Sequence, residues 1–199
     1  LNDPKIHYHS DICPVVKLDP EQNEQLWGAW RWYQETGNGF PADWGAHMYD
    51  IVQAALGMDG LGPVEFIPQG YKGAKYAMMK YANGIEMTEQ PYREDNPDAQ
   101  GIKFIGDKGW IKVARGYLEC SDPSLIKKKE QKIEKGQYEV SSPHMQNFID
   151  AIRDHKNPIA PVDYGASTNT LCCLFNIARE LKRPVRWNPA LLSFEGDKE

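Results

Sequence analysis

Two glycine-marked turns, each set between alternating apolar and polar runs, commit this chain to a fold that contains antiparallel sheet. Asn83-Gly84 separates Lys75–Tyr81 from Ile85–Glu89, and Gly106-Asp107-Lys108-Gly109 separates Gly101–Ile105 from Trp110–Val113. Asn-Gly is the dipeptide two-residue hairpins favour, because both central positions need a positive φ that these residues reach at least cost. Val64–Ile67, after Pro63, reads as a further short strand. The alternation suits a sheet with one covered and one more polar face. Tyr76, Met78, Phe104 and Trp110 are its expected apolar suppliers.

Helical periodicity brackets these strands. A first helix is expected from Pro41 or Ala42 to Leu56, stopped by Gly57. Ser141 or Ser142 can cap a second, with Pro143 at its first position and Met145, Phe148, Ile149 and Ile152 at helical spacing. A third covers about Gly165 to Lys182, with Leu171, Leu174, Phe175, Ala178 and Leu181 as its apolar stripe. Pro184 ends it, and Val185-Arg186-Trp187 reads as an edge strand. A helix, a run of strands and two helices make an α+β layer rather than an alternating βαβ fold. Residues 1–25, with three prolines and no periodicity, read as a loop-rich arm; residues 26–199 form the domain. Leu26–Tyr33 is aromatic and alternating, as in a strand lining a core or a pocket, and residues 117–140 read as irregular.

Charge and motif content exclude several functions. The net charge is −5, and the one basic run, Lys127-Lys128-Lys129, is followed at once by Glu130, so no basic field for nucleic acid exists. No apolar run approaches the roughly 20 residues that span a bilayer. Cys13, Cys120, Cys172 and Cys173 form no CxxC pair and read as small buried hydrophobes. His7 and His9 lack a third ligand nearby. The glycine cluster Gly57-Met58-Asp59-Gly60-Leu61-Gly62 follows a helix and lacks GxGxxG spacing. There is no P-loop, GxSxG or HExxH. Neither a cytoplasmic nor a periplasmic location is indicated.

Chemistry concentrates between Gly37 and Asp50. At about 100° per residue, Asp43, His47, Asp50 and Ala54 share one face of the first helix, while Met48, Ile51, Val52 and Ala55 fall on the face expected to be buried. Two carboxylates and an imidazole in a row can be proton-transfer apparatus, part of a metal site or a solvated face.

This stretch resembles the C-terminal, substrate-binding domain of the Gfo/Idh/MocA oxidoreductases, the family of glucose–fructose oxidoreductase and inositol dehydrogenase. The resemblance rests on four segments in order. They are Gly37-x-Gly39 … Asp43-x-Gly45-x-His47-x-x-Asp50 with Ala55-Leu56-Gly57; Gly101-Ile102-x-Phe104-x-Gly106 … Gly109-Trp110-Ile111; Asn147–Arg153 … Asn157-Pro158; and Asn176-Ile177-Ala178 followed by Arg183-Pro184.

The resemblance implies a large, mostly antiparallel open sheet with helices on one face, like the C-terminal domain of glyceraldehyde-3-phosphate dehydrogenase. It implies a homo-oligomer formed through the other face. It also implies a preceding Rossmann domain that binds NAD or NADP and carries a catalytic lysine in Glu-Lys-Pro. None of that domain's motifs is present, so the chain resembles the C-terminal piece of a longer protein and is expected to be redox-inactive alone. Carried over, His47 matches the catalytic histidine and Asp43 its partner acid. Asp50, Trp32, Arg31 and Arg115 are candidates to contact a sugar, polyol or glycoside substrate, and Asp50 also suits a local cap or hydrogen bond. No metal is implied. A catalytically silent sugar-binding or dimerisation module that keeps the fold is the alternative.

Overall fold

The computed structural model describes residues 37–93, 99–126 and 144–196. The expected arm, the aromatic run Leu26–Tyr33, His7, His9, Cys13 and the lysine run lie outside the described residues, as do Arg31 and Trp32. The chain divides into two compact units, one of residues 1–90 and 167–199, the other of residues 91–166.

In the first unit a π-helical turn, Pro41–Gly45, runs directly into α1, Ala46–Leu56. The helix ends as the sequence indicates. Gly57 is left-handed, its N–H donates to the Ala54 carbonyl, and the Met58 N–H donates to that of Gln53, closing the last turn. The sheet has five strands in the order β3-β2-β1-β7-β8. These are β1 (Glu65–Ile67), β2 (Ala77–Lys80), β3 (Glu86–Glu89), β7 (Val185–Asn188) and β8 (Ser193–Phe194), every pairing antiparallel. Strand β7 is not the expected edge: it pairs with β1 on one side and β8 on the other.

Parity decides which face is covered. Residues paired directly across strands share a face, so Phe66, Met79, Met87 and Val185 lie together. Phe66, Ala77, Met79 and Val185 are buried in one cluster with Tyr49 of α1 and with Leu171, Cys172, Leu174, Phe175 and Ala178 of α3 (Val162–Leu181). Helices α1 and α3 thus cover one face of the sheet. Each fully buried large side chain in this cluster contributes about 1.5–3 kcal/mol. Met78 and Tyr76, expected in the core, have the opposite parity and are only half-buried. The run Tyr76–Tyr81 offers apolar residues at either parity, and Lys80 settles it: it must face away from the helices, taking Met78 and Tyr76 with it. On that open face Lys80 pairs with Glu86 at 2.8 Å and Arg186 with Glu65 at 3.3 Å. The charged row Glu86-Lys80-Glu65-Arg186 runs beside the row Thr88-Met78-Ile67, so the open face is the more polar one, as the alternation indicates.

The β2–β3 turn is one residue longer than the Asn-Gly signal suggests. The Tyr81 carbonyl accepts from Gly84 N–H at 3.0 Å, and Tyr81 N–H donates to the Ile85 carbonyl at 2.9 Å. Gly84 takes the left-handed position at φ 87° that a three-residue loop requires.

The second unit contains a three-stranded antiparallel sheet of β4 (Ile102–Gly106), β5 (Gly109–Ala114) and β6 (Tyr117–Cys120). Strand β6 falls at the start of residues 117–140, where the sequence pattern is irregular. Lys103 and Lys112 face each other across β4 and β5, and both ammonium groups lie over the Trp110 ring, 5.0 and 5.5 Å from its centroid. Helix α2 (His144–Asp154) forms, while its expected cap residues Ser141, Ser142 and Pro143 lie outside the described residues, and its stripe of Met145, Phe148, Ile149 and Ile152 is exposed.

Candidate active site

The Asp43–His47–Asp50 row is built by a turn, a widened helical start and an anchored helix. Asn38 and Gly39 are both left-handed, with φ of 59° and 73°, and they turn the chain into Phe40 and Pro41. Proline suits a first helical position because its missing N–H is not needed there. Asp43 lies in this first turn, where unpaired backbone N–H groups favour a carboxylate. The π-helical geometry of Pro41–Gly45 widens the backbone where Asp43 leaves it, an irregularity that frequently accompanies functional sites.

Packing fixes which side of α1 faces out. Gly45 is buried, and a Cβ there would lie 2.9 Å from Tyr49 Cε2, so its bare backbone makes room for that ring. Tyr49 in turn meets Phe175 of α3 edge-on, centroids 6.3 Å apart, and burial pushes its phenol well above the ordinary tyrosine range. The buried residues of this region are therefore Pro41, Gly45, Tyr49, Val52 and Gln53, at helical spacing. The expected buried face of Met48, Ile51, Val52 and Ala55 is one residue out of phase, and Ile51 and Ala55 are exposed. The difference lies in Gln53, a polar residue that is wholly buried with α3 supplying two acceptors for its amide nitrogen.

Those partners form a connected network. Gln53 Nε2 donates to Ser167 Oγ at 3.1 Å and to Thr168 Oγ1 at 3.0 Å. Thr168 Oγ1 donates to Asp50 Oδ1 at 3.0 Å, and Ser167 Oγ donates to the Leu61 carbonyl at 3.4 Å. Asp50 thus ties α1 to α3 through one carboxylate oxygen. Partial burial and the Asp50 charge hold the Asp59 carboxyl above the usual carboxylate range. A second polar contact sits at the other end of α1. Asn176 Nδ2 donates to the Asn38 carbonyl at 2.7 Å and to Asn38 Oδ1 at 2.9 Å, while Asn38 Nδ2 donates to Cys173 Sγ at 3.5 Å.

Between these contacts His47 is exposed and Asp43 half-buried. The His47 ring lies 5.8 Å from that of Trp44, tilted by 60°. An acid and an imidazole thus occupy one accessible stretch of helix, a pair able to bind hydroxyl groups and exchange a proton. Arg115 lies in the exposed turn between β5 and β6 of the second unit. Asn38, Gln53, Thr168 and Asn176 are the residues that sequence reasoning missed. Thr168, Cys172 and Asn176, at i, i+4 and i+8 beside an apolar stripe, were the available signal.

Among the described residues, no three His, Cys, Asp or Glu side chains come together as a metal site. Nor does the glycine run 57–62 fit a dinucleotide. It follows the C-terminal end of α1, where carbonyls rather than N–H groups are presented, so it offers no cradle for a pyrophosphate. No helix of the described residues is long and apolar enough to cross a membrane.

The model of a family described as the oxidoreductase family, C-terminal alpha/beta domain (GFO_IDH_MocA_C2) matches residues 3–199. No curated protein and no solved structure matches the chain.

Proposed function

The chain belongs to the Gfo/Idh/MocA oxidoreductase family, as its C-terminal alpha/beta domain, and from that premise we propose that it is the substrate-binding and proton-transferring part of an NAD- or NADP-dependent oxidoreductase acting on a sugar, polyol or glycoside. The observation that carries the reading is the family match over nearly the whole chain. The exposed His47, one turn after Asp43 on a helix anchored at both ends, supports the assignment of roles.

Oxidising a secondary hydroxyl removes a hydride from carbon and a proton from oxygen. The dinucleotide supplies the hydride acceptor, and it would be held outside the described residues. His47 takes the hydroxyl proton on a ring nitrogen, a task suited to a group whose ordinary pKa is about 6.5. Asp43 orients the imidazole or accepts a hydrogen bond from a neighbouring hydroxyl. Asp50 has one oxygen engaged by Thr168, and its other oxygen is the one available to substrate. Arg31 and Trp32 are the further substrate contacts proposed. The open face of the five-stranded sheet is proposed to meet a second copy of the chain.

The test uses the enzyme with its dinucleotide-binding domain, a panel of sugars and polyols, and NAD or NADP. His47→Ala is expected to lower kcat/KM by roughly 10²–10⁴-fold, the usual contribution of a general base. Turnover within about threefold of the parent would overturn the assignment. Sugar binding that survives with no turnover on any substrate would favour the silent module.

A further inference from the structure

We propose that Asn176, on α3, is a positioning residue for the helix that carries Asp43 and His47, and that it acts by locking the left-handed turn at Asn38. The proposal rests on the functional reading above and deepens it.

The geometry is specific to an asparagine. Both hydrogens of the Asn176 amide are spent on one residue, one on the Asn38 carbonyl at 2.7 Å and one on its side-chain Oδ1 at 2.9 Å. Two bonds to a carbonyl and a side chain of the same residue fix its backbone and χ angles together. Asn38 then uses its own Nδ2 on Cys173 Sγ, which lies one turn before Asn176 on α3. A residue at φ 59° would otherwise hold this conformation at a cost. The fixed residue lies three positions before Pro41, where the π-helical turn bearing Asp43 starts. The Asp50–Thr168–Gln53 network fixes the other end of α1 but reaches no residue before Asp50. Ala42, Ala46 and Tyr49 pack this stretch against the core, and the Asn38 lock adds a polar restraint from its N-terminal side. Aspartate at 176 has the same shape and no donor, so it would oppose two oxygens.

The experiment compares Asn176→Asp with the parent enzyme, with its dinucleotide-binding domain present. Two quantities are read: kcat and KM on the best substrate, and the NMR resonances of the His47 and Trp44 rings. Asn176→Asp is expected to lower kcat about 10- to 100-fold, the range that a displacement near 1 Å produces, and to change KM less. The His47 and Trp44 resonances shift, while the Met79 methyl resonance in the sheet core stays in place. A folded variant with unshifted His47 and Trp44 signals overturns the proposal. If Asn176→Asp does not fold, Asn38→Gly replaces it. Glycine takes the left-handed φ without strain and keeps the carbonyl, but it lacks Oδ1 and Nδ2, so the same signals move by less. Unmoved signals in that variant also overturn the proposal. Failure of the functional reading looks different: His47→Ala would leave turnover intact while Asn176→Asp still moved the His47 signal.

Discussion

Thr168→Val tests whether a buried hydroxyl holds α1 on α3. Thr168 is 4% exposed, and valine nearly matches its shape, so the change removes hydrogen bonds without opening a cavity. Two bonds are lost. The one donated to the Asp50 carboxylate is worth about 1.5–3 kcal/mol, and the one accepted from Gln53 Nε2 about 0.5–1.5 kcal/mol. Gln53 keeps its bond to Ser167, so only one amide hydrogen loses its partner. The extra buried methyl returns about 1 kcal/mol. The net expectation is a loss of about 2 kcal/mol, felt most by the opening of α1. Hydrogen exchange of the α1 amides reads that opening directly. At about 1.4 kcal/mol per decade, those amides should exchange roughly 30-fold faster. A double-mutant cycle with Asp50→Ala isolates the shared bond and should give a coupling of about 1.5–3 kcal/mol. Exchange within about twofold of the parent, or additive single effects, would refute the claim that this network carries the helix.

Stability should fall in alkali. Burial, reinforced by the neighbouring Cys173, pushes the Cys172 thiol up to about 12, and burial pushes the Tyr81 phenol up to about 12. The unfolded groups lose their protons near 8.5 and 10, so the folded state binds more protons above those values. Their contribution is complete below the unfolded values and is lost as pH rises towards 12, at up to about 1.4 kcal/mol per pH unit for each group. The urea midpoint should therefore drop between pH 8 and 10.5, and the drop should be smaller in Cys172→Ala. A flat profile would contradict the burial of both groups. Gly84→Ala places a Cβ at φ 87° in the β2–β3 turn and should cost about 1–2 kcal/mol in thermal or urea unfolding. An unchanged midpoint would mean the turn is not the three-residue form.

The parts of the fold legible in the sequence are those whose cause is local. The first helix shows its proline start and glycine stop within 17 residues of chain, and the β2–β3 and β4–β5 hairpins carry their turn signals between their own strands. The family reading, made on four short segments, agrees with the match over residues 3–199. What could not be read depended on distant partners. Strand β6 carries Glu119 among Tyr117, Leu118 and Cys120, and it looks irregular until β5 supplies its ladder. Gln53 looks like a surface residue until Ser167 and Thr168 take its amide. The parity of β2 follows from where Lys80 can go, not from which residues are most apolar.

The same division runs through the candidate site. Asp43, His47 and Asp50 could be selected together because one helix spaces them. What holds that helix comes from α3, with Asn38 and Asn176 separated by 138 positions in sequence. The sequence therefore shows the candidate groups and hides their support. This asymmetry has a physical basis. A proton-transferring pair needs only the right residue types one turn apart, whereas its alignment to a substrate needs contacts that close a long loop. Loop closure costs entropy that grows only slowly with length, so distant support of this kind is open to any chain whose last helix packs beside its first. Here α3 does so with two polar contacts, at Ser167–Thr168 and at Cys173–Asn176, which bracket the stretch that bears Asp43 and His47.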